Sequence, residues 1–386
     1  MPTSVGPNTK GEENLVFGYD LGDVSNSYKG EPTVNYITTM AANLGGNVSL
    51  SYPLNVYICT AQETNVVDPT APGGQYSRFT GNTDSDNNQL FTSFVDGSVN
   101  ARNTTVAYSV YLKGTGTCHL TVYSDIAGYS ITPTITLTSE WTRYSIVQAV
   151  GNYTTHAWAA VRGILTSTNV YVAAQQVEFN SHVTPFVNGT RSATQGLLDL
   201  TGNSTLDLTN VSFDSNAQIE FDGTNDYINL NSIAPLIAGG DFSLEAIIKG
   251  PAQDHKGIIP INTSTGDNRA LFLIRNASMG IYDGNTWYIG NIDVDDNNWH
   301  HVTLSYTRST RNAVIYVDGE VSLNTTTGNT ITVASDDKIS VGQEYDGAST
   351  SDHFNGQIPI AKIYNRALTA SEIKSNFNAI KGRFNI

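Results

Sequence analysis

From Ile315 to Val321 the chain reads Ile-Tyr-Val-Asp-Gly-Glu-Val. An Asp-Gly pair between two alternating runs marks a two-residue hairpin, because a type I′ turn needs positive φ at both central positions. The same alternation governs residues 105–112, where Val106, Tyr108, Val110 and Leu112 share one face. Residues 120–123, 131–138 and 144–150 continue it between Gly, Asp and Asn turns. Strands this short, joined by tight turns, bury their apolar faces by packing sheet on sheet. The expected class is all-β.

Composition narrows what such sheets could serve. Charged residues make up 14% of the chain, against about 25% in a typical globular protein, and Thr, Asn, Ser and Gly take their place. A net charge of −15 argues against nucleic-acid binding, since a surface that tracks phosphates needs clustered Lys and Arg. No apolar run is long enough to span a bilayer, so no membrane insertion is expected. The opening Met-Pro-Thr-Ser-Val-Gly-Pro lacks the basic and apolar regions of a secretion signal, and export by that route is not expected. Cys59 and Cys118 could pair only once; free, largely buried thiols are expected.

Three segments follow. Residues 1–33 are rich in Gly and Pro and hold one apolar island, Leu15, Val16, Phe17 and Tyr19. Such a segment cannot bury itself, so it is expected to be an extended N-terminal attachment arm. Residues 34–187 and 188–386 each read as a β-sandwich of the jelly-roll kind, with the junction near Thr184-Pro185 and Asn188-Gly189. Thr369-Ala370-Ser371-Glu372 is a capping box, and Leu368, Ile373, Phe377 and Ile380 follow near-helical spacing, so a short C-terminal helix is expected. Inward-facing positions should include Val106, Tyr108, Val110, Trp141, Trp299, Val302, Leu304 and Tyr306.

The blocks Phe-Asp-Gly-Thr-Asn-Asp-Tyr-Ile-Asn-Leu (221–230), Phe-Ser-Leu-Glu-Ala-Ile-Ile-Lys (242–249), Trp-His-His-Val-Thr-Leu-Ser-Tyr (299–306) and Gly-Gln-Ile-Pro-Ile-Ala-Lys-Ile-Tyr-Asn-Arg-Ala-Leu-Thr (356–369) resemble the laminin-G/concanavalin-A-like sandwich, in the version common in bacteriophage virion proteins. Ser-Val-Tyr-Leu-Lys-Gly (109–114), with Thr-Leu-Thr-Ser-Glu-Trp-Thr-Arg-Tyr-Ser (136–145), is similar to carbohydrate-binding jelly rolls of the xylanase-associated kind. That likeness implies that Trp141 begins a strand crossing the core. The junction 176–191 and the openings 14–23 and 27–33 also look like phage structural proteins that set a jelly roll before a laminin-G-like sandwich.

Hydrolases of the concanavalin-A-like fold place catalytic carboxylates on one strand face, as in Glu-x-Asp-x-Glu. No such run occurs; Glu245 stands alone in its strand, and Asp293, Asp295 and Asp296 fall in a turn. A nucleophile elbow, a phosphate loop and paired histidines at ligand spacing are missing too. The chain is expected not to be an enzyme. No cofactor is expected to be required; calcium is the ion that Asp222, Asp226, Asp293 and Asp295 could hold, their other use being to close turns. For sugar binding, Tyr282, Asp283, Trp287 and Tyr288 set aromatic rings beside polar groups, and in the first sandwich Tyr123, Tyr129 and Trp158 could line a face; core packing is the competing use of such rings.

The resemblance implies a virion structural protein, whether capsid decoration, fibre or tail-associated, displaying lectin-like, carbohydrate-binding modules. Its partners would be other virion proteins through residues 1–33 and a host-surface glycan. A homo-oligomer, most simply a trimer, would present several arms at the virion surface. A free lectin, and less readily a polysaccharide-degrading enzyme, are the other readings.

Overall fold

The computed structural model describes residues 12–37, 59–83, 89–93, 95–96, 99–153 and 157–386. Its described elements are β-strands in antiparallel sheets, with a helix Ala370–Phe384 and short helical turns at Pro72–Gly74, Asn231–Ile233 and Ala234–Ile237. The chain divides into two compact units. One comprises Thr33–Arg191 and Ser215–Ala217; the other joins the residues before Thr33 to Ser192–Asp214 and Gln218–Ile386.

The inserted unit is a sandwich of two five-stranded sheets. One runs in the order Gly128–Ile131, Thr117–Ser124, Ala157–Arg162, Gln89–Ser93, with Ile135–Thr136 beside Thr117–Ser124. The other runs Thr142–Ala149, Thr105–Thr115, Asn169–Glu178, Gln75–Gly81, Cys59–Val67. Alternation sends Val106, Tyr108, Val110 and Leu112 inward against Leu120, Val122, Ala159 and Val161, as expected. Cys59 and Cys118 are free and buried, and burial pushes each thiol up to about 12. The ends of the insertion meet, because Thr33–Val34 pairs antiparallel with Thr190–Arg191.

The enclosing unit packs an eight-stranded sheet on a seven-stranded one. Leu244, Ala246, Ile248, Val302, Leu304 and Tyr306 face Phe272, Ile274 and Ile281 across the core. Phe242–Lys249 is buried along both faces. Its second face is covered by the C-terminal helix, whose Ile380 and Phe384 rest on Ile247 and Ile360. The helix begins at the expected capping box: Thr369 accepts the Glu372 N–H at 3.3 Å, and Glu372 accepts the Thr369 N–H at 2.8 Å. Asp318 and Gly319 have φ of 54° and 75°, as a type I′ hairpin requires.

The N-terminal island departs from expectation. Leu15–Asp20 is a strand paired antiparallel with residues 360–364 of strand Asn355–Tyr364. Phe17 and Tyr19 are fully buried, and Val16 joins the same core. Leu15, Val16, Phe17 and Tyr19 are therefore used inside the chain and offer no docking surface. The physical reason lies in the sheet: Ile219–Asp222 pairs with Asn355–Tyr364 only at residues 355–356, leaving the rest of that edge open. The island fills it. The outer side of the new strand is closed in turn by Asp199, Leu200, Thr201 and Asn203, which bond to Gly18 and Val16. Residues 1–11 of the expected arm lie outside the described residues. The boundary expected at 187/188 falls at Arg191/Ser192, and residues 12–32 belong with the C-terminal sandwich.

Two tryptophans also differ. Trp141 and Trp299 are half-buried, and neither lies between sheets. Tyr144 and Ile146 face the first core, which turns Trp141 outward against Tyr76. Val302, Leu304 and Tyr306 face the second core, which turns Trp299 to the other side, where it meets Phe384 with ring centroids 5.0 Å apart.

Candidate functional site

Strand register brings three rings of the inserted unit together. Tyr129 pairs with Tyr123, and Tyr123 with Trp158, across three adjacent strands. Leu120, Val122, Ala159 and Val161 take the core side of these strands, so the three rings stand on the outer face. Tyr123 stacks on Trp158 at 5.1 Å between centroids and lies 4.6 Å from Tyr129. Tyr129 remains 56% exposed, and Ile131, two positions along, 48%. Arg162, four residues from Trp158 on the same face, sets its guanidinium 4.8 Å from the Tyr129 ring. The result is an aromatic shelf with a cation at its margin. Thr121, fully buried beside it, has a hydroxyl without a partner among the described residues. Ring faces of this kind accept the C–H face of a pyranose, and the margin supplies hydrogen bonds. The sequence pointed to Tyr123, Tyr129 and Trp158; Arg162 was missed, although its i+4 spacing from Trp158 puts both on one strand face.

The four candidates of the other unit split into two pairs. Tyr282 and Trp287 face each other across a hairpin at 4.8 Å. Trp287 also meets the Arg275 guanidinium at 5.5 Å and the His255 ring at 5.8 Å. Asp283 and Tyr288 turn elsewhere. Asp283 is buried and accepts N–H groups from Asn285 at 3.0 Å, Thr286 at 2.8 Å and Asn329 at 2.9 Å, and the Tyr288 hydroxyl at 3.3 Å. Burial pushes its carboxyl up, but those donors outweigh burial and hold it below the usual range. Asp283 organises a loop and is not presented to a ligand. Arg275 and His255 come from separate segments, so only the cross-strand register reveals them.

Each of the four aspartates considered for calcium accepts hydrogen bonds from the chain, Asp222 within its own turn and the other three from separate segments as well; Asp293, expected in a turn, ends strand Trp287–Asp293. Asp222 accepts the N–H groups of Thr224 and Asn225, and Asp226 those of Ser212 and Asp222. Asp295 accepts the Gln253 N–H at 3.1 Å, and Asp293 receives the Ser278 hydroxyl at 3.4 Å. Among the described residues no three His, Cys, Asp or Glu side chains converge on a point that would hold a metal ion.

Two other carboxyls matter to the chemistry. Glu245 is sealed beneath the C-terminal helix with no exposed surface. Glu344, 4% exposed, has one oxygen without a partner among the described residues. Burial, then Asp352 and Asp346, push its carboxyl up to about 8.

Among solved structures, the CBM40 of the Ruminococcus gnavus IT-sialidase bound to alpha2,3 sialyllactose is similar at 16% identity, over 41% of this chain and 95% of that one, with a TM-score of 0.37. The native heptameric SAP-like pentraxin from Limulus polyphemus is similar at 16% identity over 40% and 78%, with a TM-score of 0.33. Domain 4 of AbnA, a GH43 extracellular arabinanase from Geobacillus stearothermophilus, in complex with arabinotriose, is similar at 16% identity over 45% and 81%, with a TM-score of 0.34. No curated protein matches the sequence at a significant level. The family comparison falls on the blocks that suggested it: residues 222–374 match the concanavalin A-like lectin/glucanases superfamily, in its laminin-G form.

Proposed function

We propose that this chain is a non-enzymatic glycan-recognition protein carried on a bacteriophage virion. The observation that carries the recognition half is the Tyr129–Tyr123–Trp158 shelf with Arg162 at its margin. The three rings stand on adjacent strands and face away from the core to which Leu120, Val122, Ala159 and Val161 belong, and Tyr129 is 56% exposed. No metal is part of this reading. The full chain should be retained by at least one immobilised host-surface polysaccharide, equally with and without EDTA. Trp158→Ala should weaken that retention at least about tenfold, or about 1.4 kcal/mol. Unchanged retention in a folded Trp158→Ala protein would remove the shelf from the reading.

The virion half is supported by the likeness of residues 14–23, 27–33 and 176–191 to phage structural proteins. It predicts stoichiometric copies in purified particles: hundreds if the protein decorates the capsid, a few to dozens if it belongs to a fibre or tail. With the island buried, attachment to other virion proteins has to use other surfaces. A trimer would appear as three chain masses in light scattering.

A hydrolytic reading has one observation in its favour, the buried Glu344 held protonated near neutral pH beside Asp352. A carboxyl in that state can serve as a general acid. Release of reducing sugar that Glu344→Gln abolishes would replace recognition by hydrolysis.

A further inference from the structure

The opposite sheet of the inserted unit carries a second set of rings on its own outward face. Register aligns Glu63, Arg78, Tyr171 and Lys113 across four strands, and Trp141 directly precedes the fifth, Thr142–Ala149. Five strands span about 19 Å at the usual inter-strand spacing. Phe79, Leu112, Val170 and Val172 take the core side of these strands. On the outer side Tyr76 lies 5.4 Å from Tyr171 and 6.3 Å from Trp141, between ring centroids. The Lys113 ammonium sits among the three rings, 4.6 Å from Trp141, 5.2 Å from Tyr171 and 5.8 Å from Tyr76.

The polar atoms along this strip are the second observation. Arg78 donates to Glu63 at 3.0 Å. Yet Arg78 Nε, Glu63 Oε2, Trp141 Nε1 and Asn169 Oδ1 are all enclosed without a partner among the described residues. Buried polar atoms in proteins are overwhelmingly satisfied, and leaving one unmade is costly. Two donors and two acceptors orphaned along one row of rings are a pattern that hydroxyl groups match, since each can both donate and accept. The strip is close to neutral, because Glu63 offsets Arg78 and Asp68 lies in the field of Lys113. That favours an uncharged polyol over an acidic one. Lys113 is the movable part: its flexible stem lets the ammonium swing out and uncover the rings.

We propose that this face is a second, independent glycan site for uncharged sugar chains, with Lys113 lying over it until a ligand displaces it. It does not depend on the shelf. The test uses the full chain against immobilised neutral oligomers of glucose, galactose, mannose and xylose, with polygalacturonate as the acidic probe. A Trp141→Ala/Tyr171→Ala protein should lose at least about tenfold in affinity for one neutral oligomer that a Tyr129→Ala/Trp158→Ala protein still binds. Lys113→Ala should bind that oligomer as well as the parent chain or better, and near-ultraviolet circular dichroism confirms that each variant is folded. The inference is overturned if folded Trp141→Ala/Tyr171→Ala binds every neutral oligomer like the parent. It is equally overturned if the only loss is toward polygalacturonate, or if Lys113→Ala abolishes binding as fully as loss of the rings. Retention that depends on the shelf alone would sink this proposal and leave the proposed function standing.

Discussion

Lys362→Met is expected to destabilise the enclosing unit by about 3–5 kcal/mol, the cost of stranding a buried charge. Glu245 is fully buried in strand Phe242–Lys249, where Lys362 is its cross-strand partner. Its Oε2 accepts the Asn376 amide from the C-terminal helix at 2.7 Å. Its Oε1 lies 3.6 Å from the Lys362 ammonium and 3.5 Å from His301 Nε2. Those distances are long for hydrogen bonds, so the attraction is mainly Coulombic. Lys362 also donates to Glu12 at 3.0 Å, and the Tyr364 hydroxyl donates to Glu12 at 2.6 Å. One ammonium thus ties the N-terminal segment, two strands and, through Glu245, the helix. Glu245→Gln combined with Lys362→Met should recover much of the loss, because the uncompensated charge goes with its partner. Denaturant midpoints of the three proteins decide the matter; a Lys362→Met midpoint equal to that of the parent would remove the network's structural role.

The same network sets an acid limit. Burial pushes the Glu245 carboxyl up, but Lys362, His301 and Asn376 outweigh it and hold it down at about 2. A carboxyl depressed in the folded state contributes stability that is fully present above its unfolded value of about 4.3. That contribution fades as pH falls through the folded value. Melting temperature should therefore drop between about pH 4.5 and 2 more steeply in the parent chain than in Glu245→Gln. Parallel slopes would contradict the linkage.

How much of this was legible in the sequence depends on the range of the interaction. Alternation is local, so residues 105–112 and the Asp318-Gly319 hairpin could be read directly, as could the Thr369–Glu372 capping box. The two tryptophans show where local reading fails. Counting back in twos from Tyr144 or Val302 would have turned Trp141 and Trp299 away from the cores, but the type of residue outweighed its parity. Register across strands cannot be counted from one segment. Tyr129, Tyr123 and Trp158 meet only because their strands pair at that offset, and Arg275 reaches Trp287 only across a sheet. Glu245 looked solitary for the same reason, since its partners come from residues 301, 362 and 376.

The largest miss, the N-terminal island, leads to the prediction with the widest consequence. Deleting residues 1–20 should leave the enclosing unit unable to fold, rather than freeing a folded protein from its attachment. The deletion removes the side chains of Phe17 and Tyr19, both fully buried, each worth about 3–5 kcal/mol by lost burial and cavity. It reopens the edge of strand Asn355–Tyr364 at residues 360–364, which invites pairing with other chains. It also strands Arg383, 6% exposed, whose guanidinium bonds both oxygens of Asp20. Gly22 shows how closely that pair is fitted, because a Cβ there would collide with the Arg383 guanidinium. These losses together reach the whole stability of an ordinary domain, about 5–15 kcal/mol. A peptide spanning residues 12–30, supplied in trans, should restore part of the structure by adding the missing strand, and would report its affinity directly. Deleting residues 1–11 alone should leave the melting temperature within a few degrees of the parent, since the strand and its contacts from Glu12 onward remain. If the chain lacking residues 1–20 melts cooperatively at the parent's temperature, the island is an accessory to the sheet and the attachment arm returns as the better account.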